Sequence, residues 1–184
     1  MANDGMELKP QDVLVLLKVA AHPRQRWTYA ALGKALSMSA SETHASVKRA
    51  MAAGLAVSQG REGWLPVRPA LLEFILHGVR YVWPAILGPA KRGVPTGFGA
   101  EPLVSMLNAT PGEAPVWAHA EGSAKGPTLS PLYRTVPKAA LADPELHRLL
   151  ALLDAVRAGR ARERAMATEL LTTALGDKSE DQGP

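Results

Sequence analysis

The sequence predicts a mainly α-helical protein with a proline-rich, irregular α+β middle layer and helices at its C-terminal end. Apolar residues recur at helical spacing near both ends of the 184-residue chain, in residues 13–20 and again in 146–153. Between these segments, residues 84–143 contain nine prolines, and prolines exclude long helices. We therefore expect three consecutive parts: residues 1–68, residues 69–175, and a disordered tail over 176–184.

The first part opens with three predicted helices. One is expected over residues 10–21, where apolar residues fall on a single face. A second, shorter helix is expected over 28–36, with a threonine as its N-cap. Ser39 and Glu42 have the S-x-x-E spacing of a capping box, which predicts a third helix from Ser39 to about Ala53.

Two short extended segments follow, over residues 55–59 and 64–67. They are joined by a polar loop with a glycine at each end, which predicts a β-hairpin. The next segment, 69–83, is apolar nearly all round, so we expect a fourth helix that is buried on most of its sides.

The later segments predict a mixed middle layer and two further helices. In the middle layer we expect a short helix over 102–108 and pairing of 116–119 with 128–132. The tripeptide Asp-Pro-Glu at 143–145 is a typical helix start, and a leucine-rich helical pattern follows it. A second helical pattern covers 160–175.

The order of helix, helix, three-residue turn, helix and hairpin is shared with a known class of proteins. The segment from Trp27 to Ser39, WTYAALGKALSMS, and the Ala-Gly-Leu at 53–55 resemble the winged helix-turn-helix transcriptional regulators, the MarR-like group among them. The resemblance covers residues 10–68, about a third of the chain, and the remainder has no counterpart in it. It implies a sequence-specific regulator that binds double-stranded DNA. The third helix would lie in the major groove, and the hairpin, or wing, on the backbone or in the minor groove.

The third helix has the side chains that such binding requires. Thr43, Val47 and Ala50 are expected to face inward, which leaves small and polar residues on the outward side. Such residues let a helix enter the major groove and reach base edges. We expect base contacts from Ser41, Glu42, His44 and Ala45, and phosphate contacts from Lys48 and Arg49. The predicted DNA-binding set is completed by Thr28 and Ser39, at the starts of the second and third helices, and by Arg61 at the hairpin tip.

The charge distribution also favours a polyanionic partner. The chain has a net charge of +4, and residues 22–68 alone contain seven basic residues against two acidic ones. Such concentration favours nucleic acid over the alternative, an evenly solvated basic surface. A second basic cluster consists of Arg157, Arg160, Arg162 and Arg164. We interpret these as exposed side chains in i,i+4 pairs, with a second phosphate-binding patch as the alternative.

Other classes of function lack their motifs. The chain has no cysteine, and its five histidines are scattered without metal-ligand spacing. Gly97-Phe98-Gly99 begins like a dinucleotide-binding loop, but Pro102 stands where the third glycine belongs. We therefore expect no enzymatic activity, no cofactor and no metal. The N-terminal residues contain no apolar run typical of a signal peptide, so we expect a cytoplasmic protein.

The predicted partners are DNA and a second copy of the chain. A homodimer would offer one third helix to each half of a pseudo-palindromic site. The helix over 69–83 and the C-terminal helices either dimerise or bury each other within one protomer. The middle layer has three open roles: an effector pocket, a surface for a partner protein, or scaffolding. The alternative function is a protein-interaction module, such as an antitoxin-like or complex-assembly subunit.

Overall fold

The computed structural model describes residues 7–107 and 112–176. It is an α+β structure, mostly helical with small sheets. The predicted disordered tail lies outside the described residues, apart from Gly176. Within the described ranges, every helix is too short or too polar to cross a membrane. The first part folds into α1 (Pro10–Ala21), α2 (Tyr29–Leu36), α3 (Ala40–Ala52), β1 (Ala56–Ser58) and β2 (Trp64–Pro66), each close to its predicted bounds.

After the hairpin, the chain forms two adjacent helices, α4 (Arg68–His77) and α5 (Val79–Val82). The prediction of a single helix over 69–83 is therefore wrong, because the helix is interrupted at Gly78. Glycine has a low helix propensity. The Phe74 ring occupies the space beside Gly78, where a β-carbon would lie 2.8 Å from it.

Burial of this segment is also less complete than the sequence predicts. The face of α4 with Leu71 and Ile75 is buried, but Tyr81 and Val82 on α5 are exposed. The expectation of burial on most sides therefore fails at α5.

The middle layer contains a small sheet built around β3 (Leu87–Pro95). β3 pairs antiparallel with both β4 (Val116–Ala118) and β5 (Ala124–Leu129), and the three strands close on themselves. β4 and β5 meet at one parallel pair, Val116 with Thr128. The predicted pairing of 116–119 with 128–132 is therefore limited to this one pair.

The sequence does not predict β3, because its nine residues include two prolines and two glycines, which are depleted in strands. Gly93 allows a close approach of the backbones, since a β-carbon there would lie 2.1 Å from the Trp117 carbonyl oxygen. The middle layer also contains two short helices, α6 (Leu103–Leu107) and α7 (Val136–Leu141). α6 confirms the helix predicted over 102–108 within the described residues.

The two predicted C-terminal helices are present as α8 (Pro144–Ala158) and α9 (Ala161–Leu175). α8 is buried over most of its length, and α4 packs against both α8 and α9. The apolar faces of these helices therefore bury each other within the protomer. Arg157 of α8 is buried and pairs with Asp154 at 2.7 Å. Its interpretation as an exposed side chain in an i,i+4 pair is wrong, because its partner is internal and three residues away.

α1 lies at the centre of the N-terminal part. The five consecutive apolar residues of 13–17 are fully buried, which requires neighbours on all sides of the helix. α3, α4, α8 and the strand β2 are among these neighbours. The buried apolar residues of 1–68 and of 69–175 consequently form one continuous core.

An ionic cluster joins α1 to the start of α8. The Asp143 carboxylate accepts hydrogen bonds from the backbone N–H groups of Glu145 and Leu146, both at 3.1 Å, as the N-cap of α8. It also accepts from Lys18 Nζ and bonds His22 Nε2, the latter at 2.7 Å. Burial raises the pKa of Asp143, but these donors outweigh burial and leave the pKa below its usual value. The ionised carboxylate thus holds the N-terminal elements to the C-terminal helices.

Candidate nucleic-acid interface

The inner face of α3 packs on α1 and α2. Thr43, Val47 and Ala50 are buried there, as the sequence predicts, and Ser46 is buried beside them. This packing fixes which side of α3 is left for a ligand.

The outer face of α3 is a stripe of small and polar side chains. Ser41, His44 and Lys48 are exposed and follow one another at intervals of three and four residues, so they lie on one side of the helix. Ala45 is half-buried next to them. We call these four residues the outer stripe.

The start of α3 is fixed by the predicted capping box and by a tight turn. Ser39 Oγ accepts the N–H of Glu42 at 3.1 Å, and Glu42 Oε2 accepts the N–H of Ser39 at 2.9 Å. In the preceding turn, Ser37 has a left-handed φ of 54°. A β-carbon at Gly33 would lie 2.7 Å from the Met38 carbonyl oxygen. Glycine therefore allows α2 to approach the start of α3 this closely.

The start of α2 lies beside the outer stripe. Thr28 Oγ1 accepts the N–H of Ala31 at 3.1 Å and so caps α2, as predicted. The next residue, Tyr29, packs edge-on against His44, with 4.9 Å between the ring centroids. This contact restricts the His44 ring, which holds an imidazole at a defined place in the stripe.

Glu42 has partners that the sequence analysis missed. Arg134 Nη2 lies 3.6 Å from Glu42 Oε1, and Tyr133 Oη lies 3.5 Å from the same oxygen. The hydrogen bonds with Ser39 lower the pKa of Glu42 most, desolvation opposes them, and Arg134 and Tyr133 add smaller lowering effects. Arg134 is 75% exposed, so a cation stands beside the start of α3. No local pattern signals this, since the fold brings Arg134 there from the segment before α7.

Arg49 lies away from the outer stripe. Its guanidinium bonds the Asp12 carboxylate of α1 twice, with Nε–Oδ2 at 2.9 Å and Nη2–Oδ1 at 2.6 Å. It also donates to Ser46 Oγ at 3.1 Å. The hydrogen bonds to Asp12 raise the pKa of Arg49, against the opposing effect of burial. Arg49, which the sequence predicts to contact phosphate, thus forms an internal ion pair that attaches α3 to α1.

The hairpin presents Arg61 at its tip. β1 and β2 pair antiparallel, from Ala56 with Pro66 to Ser58 with Trp64. The loop between them begins and ends with glycines whose φ values are 62° and 103°, a region that favours glycine. Arg61 is exposed between these two glycines.

Most of the basic side chains of residues 22–68 are at the surface. Arg49 and Arg68 are the exceptions, and Arg68 donates to the carbonyl oxygens of Ala20 and Ala174. The exposed basic residues are Arg24, Arg26, Lys34, Lys48 and Arg61. The local charge excess seen in the sequence is therefore available to a polyanion.

Two further observations concern other ligands and relatives. In the described part of the chain, no group of three or more His, Cys, Asp or Glu side chains is placed to hold a metal ion. Comparison with models of protein families, with curated proteins and with solved structures found no match to this chain. The candidate interface is therefore interpreted from its own geometry and charge.

Proposed function

We propose that this protein is a winged helix-turn-helix transcriptional regulator that binds double-stranded DNA sequence-specifically. α3 is its recognition helix and enters the major groove, and the β1–β2 hairpin is its wing. The observation that supports this most is the outer stripe of α3, which is open to solvent. A homodimer places one recognition helix on each half of a pseudo-palindromic site.

The outer stripe suits the major groove by size and by chemistry. A helix with its side chains is about 10–12 Å wide, and the major groove is about 12 Å wide. Small residues at the contact surface therefore decide how deeply the helix enters. Ser41 and His44 offer hydrogen-bonding groups to base edges, and Ala45 offers a methyl group to thymine.

The phosphate contacts come from residues around the stripe. Lys48 lies one turn beyond His44 on α3, and Arg61 lies at the tip of the wing. Backbone N–H groups at the start of α2, next to Thr28, favour a phosphate as well. The negative charge of Glu42 does not face the DNA phosphates uncompensated, because the Arg134 guanidinium lies beside it.

Replacing Lys48 with alanine is expected to weaken DNA binding about tenfold and to reduce the slope of log affinity against log salt by about one. The measurement is fluorescence anisotropy at several salt concentrations, with duplex DNA from upstream of the protein's own coding region. Lys125→Ala is the matched control, since Lys125 is also an exposed lysine but lies on β5.

Two outcomes would overturn the proposed function. In one, the wild-type protein shows no salt-dependent binding to duplex DNA. In the other, Lys125→Ala weakens binding as much as Lys48→Ala does. If the product of an adjacent gene co-purifies and no DNA is bound, the alternative role as a protein-interaction module is favoured instead.

Replacing Arg134 with alanine is expected to weaken DNA binding about three- to tenfold, because the exposed guanidinium contacts a phosphate near the start of α3. Arg148→Ala is the matched control, since Arg148 also pairs with a glutamate, Glu145, at 3.1 Å on another helix. Glu42→Gln in the Arg134→Ala background tests whether Arg134 contacts a phosphate or only neutralises Glu42. Glutamine keeps the capping box but removes the charge of the carboxylate. We expect this double variant to bind weakly. Full recovery of affinity would show that Arg134 only neutralises Glu42.

A further inference from the structure

Exposed apolar side chains cluster where α5 leads into β3. Tyr81, Val82, Ile86 and Leu87 have exposed fractions of 74%, 55%, 69% and 63%. The ten residues 81–90, YVWPAILGPA, contain no charged side chain. Soluble monomers rarely expose apolar patches of this kind without a function for them. We call residues 81–90 the apolar segment.

Among the described residues, none covers the beginning of β3 on either face. Side chains of a strand point alternately to opposite faces, yet every residue from Leu87 to Arg92 is exposed. β5 pairs with this stretch, whereas β4 pairs with β3 further along, at Gly93, Val94 and Pro95. A two-stranded ribbon with no cover is marginally stable in water, so this stretch is suited to contact with another molecule.

We propose that the apolar segment is the surface through which two copies of this chain form a homodimer. A two-fold interface brings one patch against the same patch of the partner, so the patch must be self-complementary. The part around Ile86 and Leu87 meets this condition, because the segment itself carries no charge, and the nearby Arg80 guanidinium lies over the Tyr81 ring at one end, 5.2 Å from its centroid. Charges of both signs, on Arg160, Arg162, Glu113 and Glu163, line the cleft that Leu87 borders, so this edge of the segment is not dominated by one sign of charge.

The area of the segment fits a dimer. Four large apolar side chains, each more than half exposed, present roughly 400–500 Å² of apolar surface. A standard interface buries about 800 Å² on each partner, and the adjoining prolines and polar rim contribute the rest. α5 packs on α4 and α8, whereas α3 packs on α1 and α2. The proposed dimer surface and the outer stripe of α3 therefore belong to elements that pack on different helices.

Sedimentation velocity of the full chain without DNA tests this proposal, so its failure is distinct from failure of the DNA-binding function. We expect the wild-type protein to be a dimer and Ile86→Glu/Leu87→Glu to be a monomer, with dimer affinity lowered at least about 100-fold. Met106→Glu/Leu141→Glu is the matched control, since Met106 and Leu141 are also exposed apolar residues. It should remain a dimer.

Crosslinking keeps the test valid if the glutamate variant does not fold. The chain has no cysteine, so a single introduced cysteine can form a disulfide only with a second copy. Under mild oxidation, at least one of Tyr81→Cys, Ile86→Cys and Leu87→Cys is expected to form a covalent dimer, and Leu141→Cys is not. A monomeric wild-type protein would overturn the proposal, as would a dimer in which none of the three cysteines crosslinks.

Discussion

Replacing Arg49 with alanine is expected to lower the free energy of unfolding by about 3–5 kcal/mol. Asp12 is fully buried, and Arg49 supplies two of its hydrogen bonds. Without Arg49, the hydrogen bond that the carboxylate keeps among the described residues comes from the backbone N–H of Lys9, at 2.8 Å. The free energy of unfolding of a small domain is about 5–15 kcal/mol, so this loss is a large part of the stability. Urea denaturation followed by circular dichroism measures it.

A double variant separates the cost of a buried unpaired charge from the loss of the hydrogen bonds between Arg49 and Asp12. Arg49→Met with Asp12→Asn removes both charges, keeps the shape of the Asp12 side chain and an apolar stem in place of the Arg49 stem, and keeps an amide oxygen for the Lys9 N–H. Since no unpaired charge is then buried, we expect it to lose less than half of what Arg49→Ala loses. An equal loss in both variants would show that the hydrogen bonds, and not the buried charge, stabilise α3 on α1.

This prediction bears on the interpretation of DNA-binding experiments. Lys48 and Arg49 are neighbours in the sequence, but Lys48 is exposed and Arg49 is paired internally. Lys48→Ala should change stability by no more than about 0.5 kcal/mol. A variant with alanine at both positions would therefore lose DNA binding partly by unfolding. If Arg49→Met/Asp12→Asn is stable but has a reduced salt slope, Arg49 contacts phosphate after all.

Local signals explain why the helices of both ends are predictable. Thr28, Ser39 and Asp143 each accept backbone N–H groups at the start of a helix, as their sequence context predicts. A helix cap depends on residues within one helical turn, so it can be predicted from a single sequence. The inward residues Thr43 and Val47 follow in the same way from helical spacing.

Partners that are distant in sequence explain what is not predictable. Asp12 precedes Arg49 by 37 positions, and nothing in the pattern of α3 distinguishes Arg49 from Lys48. Arg134 reaches Glu42 only because α7 packs on α2. β3 is missed for a related reason, since glycine at position 93 is explained by the carbonyl oxygen of Trp117 on another strand. The outer stripe of the candidate site can therefore be predicted from the sequence, whereas the partners of Arg49 and Glu42 cannot.

Replacing Asp154 with alanine is expected to cost about 3–5 kcal/mol as well. Asp154 is buried and accepts hydrogen bonds from Thr96 Oγ1 at 2.9 Å, Trp117 Nε1 at 2.7 Å and Arg157 Nη1 at 2.7 Å. Its removal leaves the buried Arg157 guanidinium without a counter-charge. In the part of the chain that the structure describes, the guanidinium then keeps its bonds to the carbonyl oxygens of Trp83 and Ser130. Urea denaturation measures the loss, and near-ultraviolet circular dichroism, to which Trp117 contributes with the other tryptophans, reports a change of packing.

Replacing Arg157, the partner of Asp154, gives a control whose effect on stability depends on pH. Burial raises the pKa of Asp154, and Arg157, Thr96 and Trp117 act against burial. Arg157→Met removes the largest of these opposing effects, so the pKa of Asp154 should rise further. A carboxyl group whose pKa is raised by folding holds its proton more tightly in the folded state, so stability falls as the pH rises through that pKa. Arg157→Met should therefore lose much stability relative to wild type at neutral pH and progressively less as the pH is lowered towards about 4. A loss that is the same at every pH would show that Arg157 stabilises α8 by packing and by its bonds to carbonyl oxygens, and not by its charge.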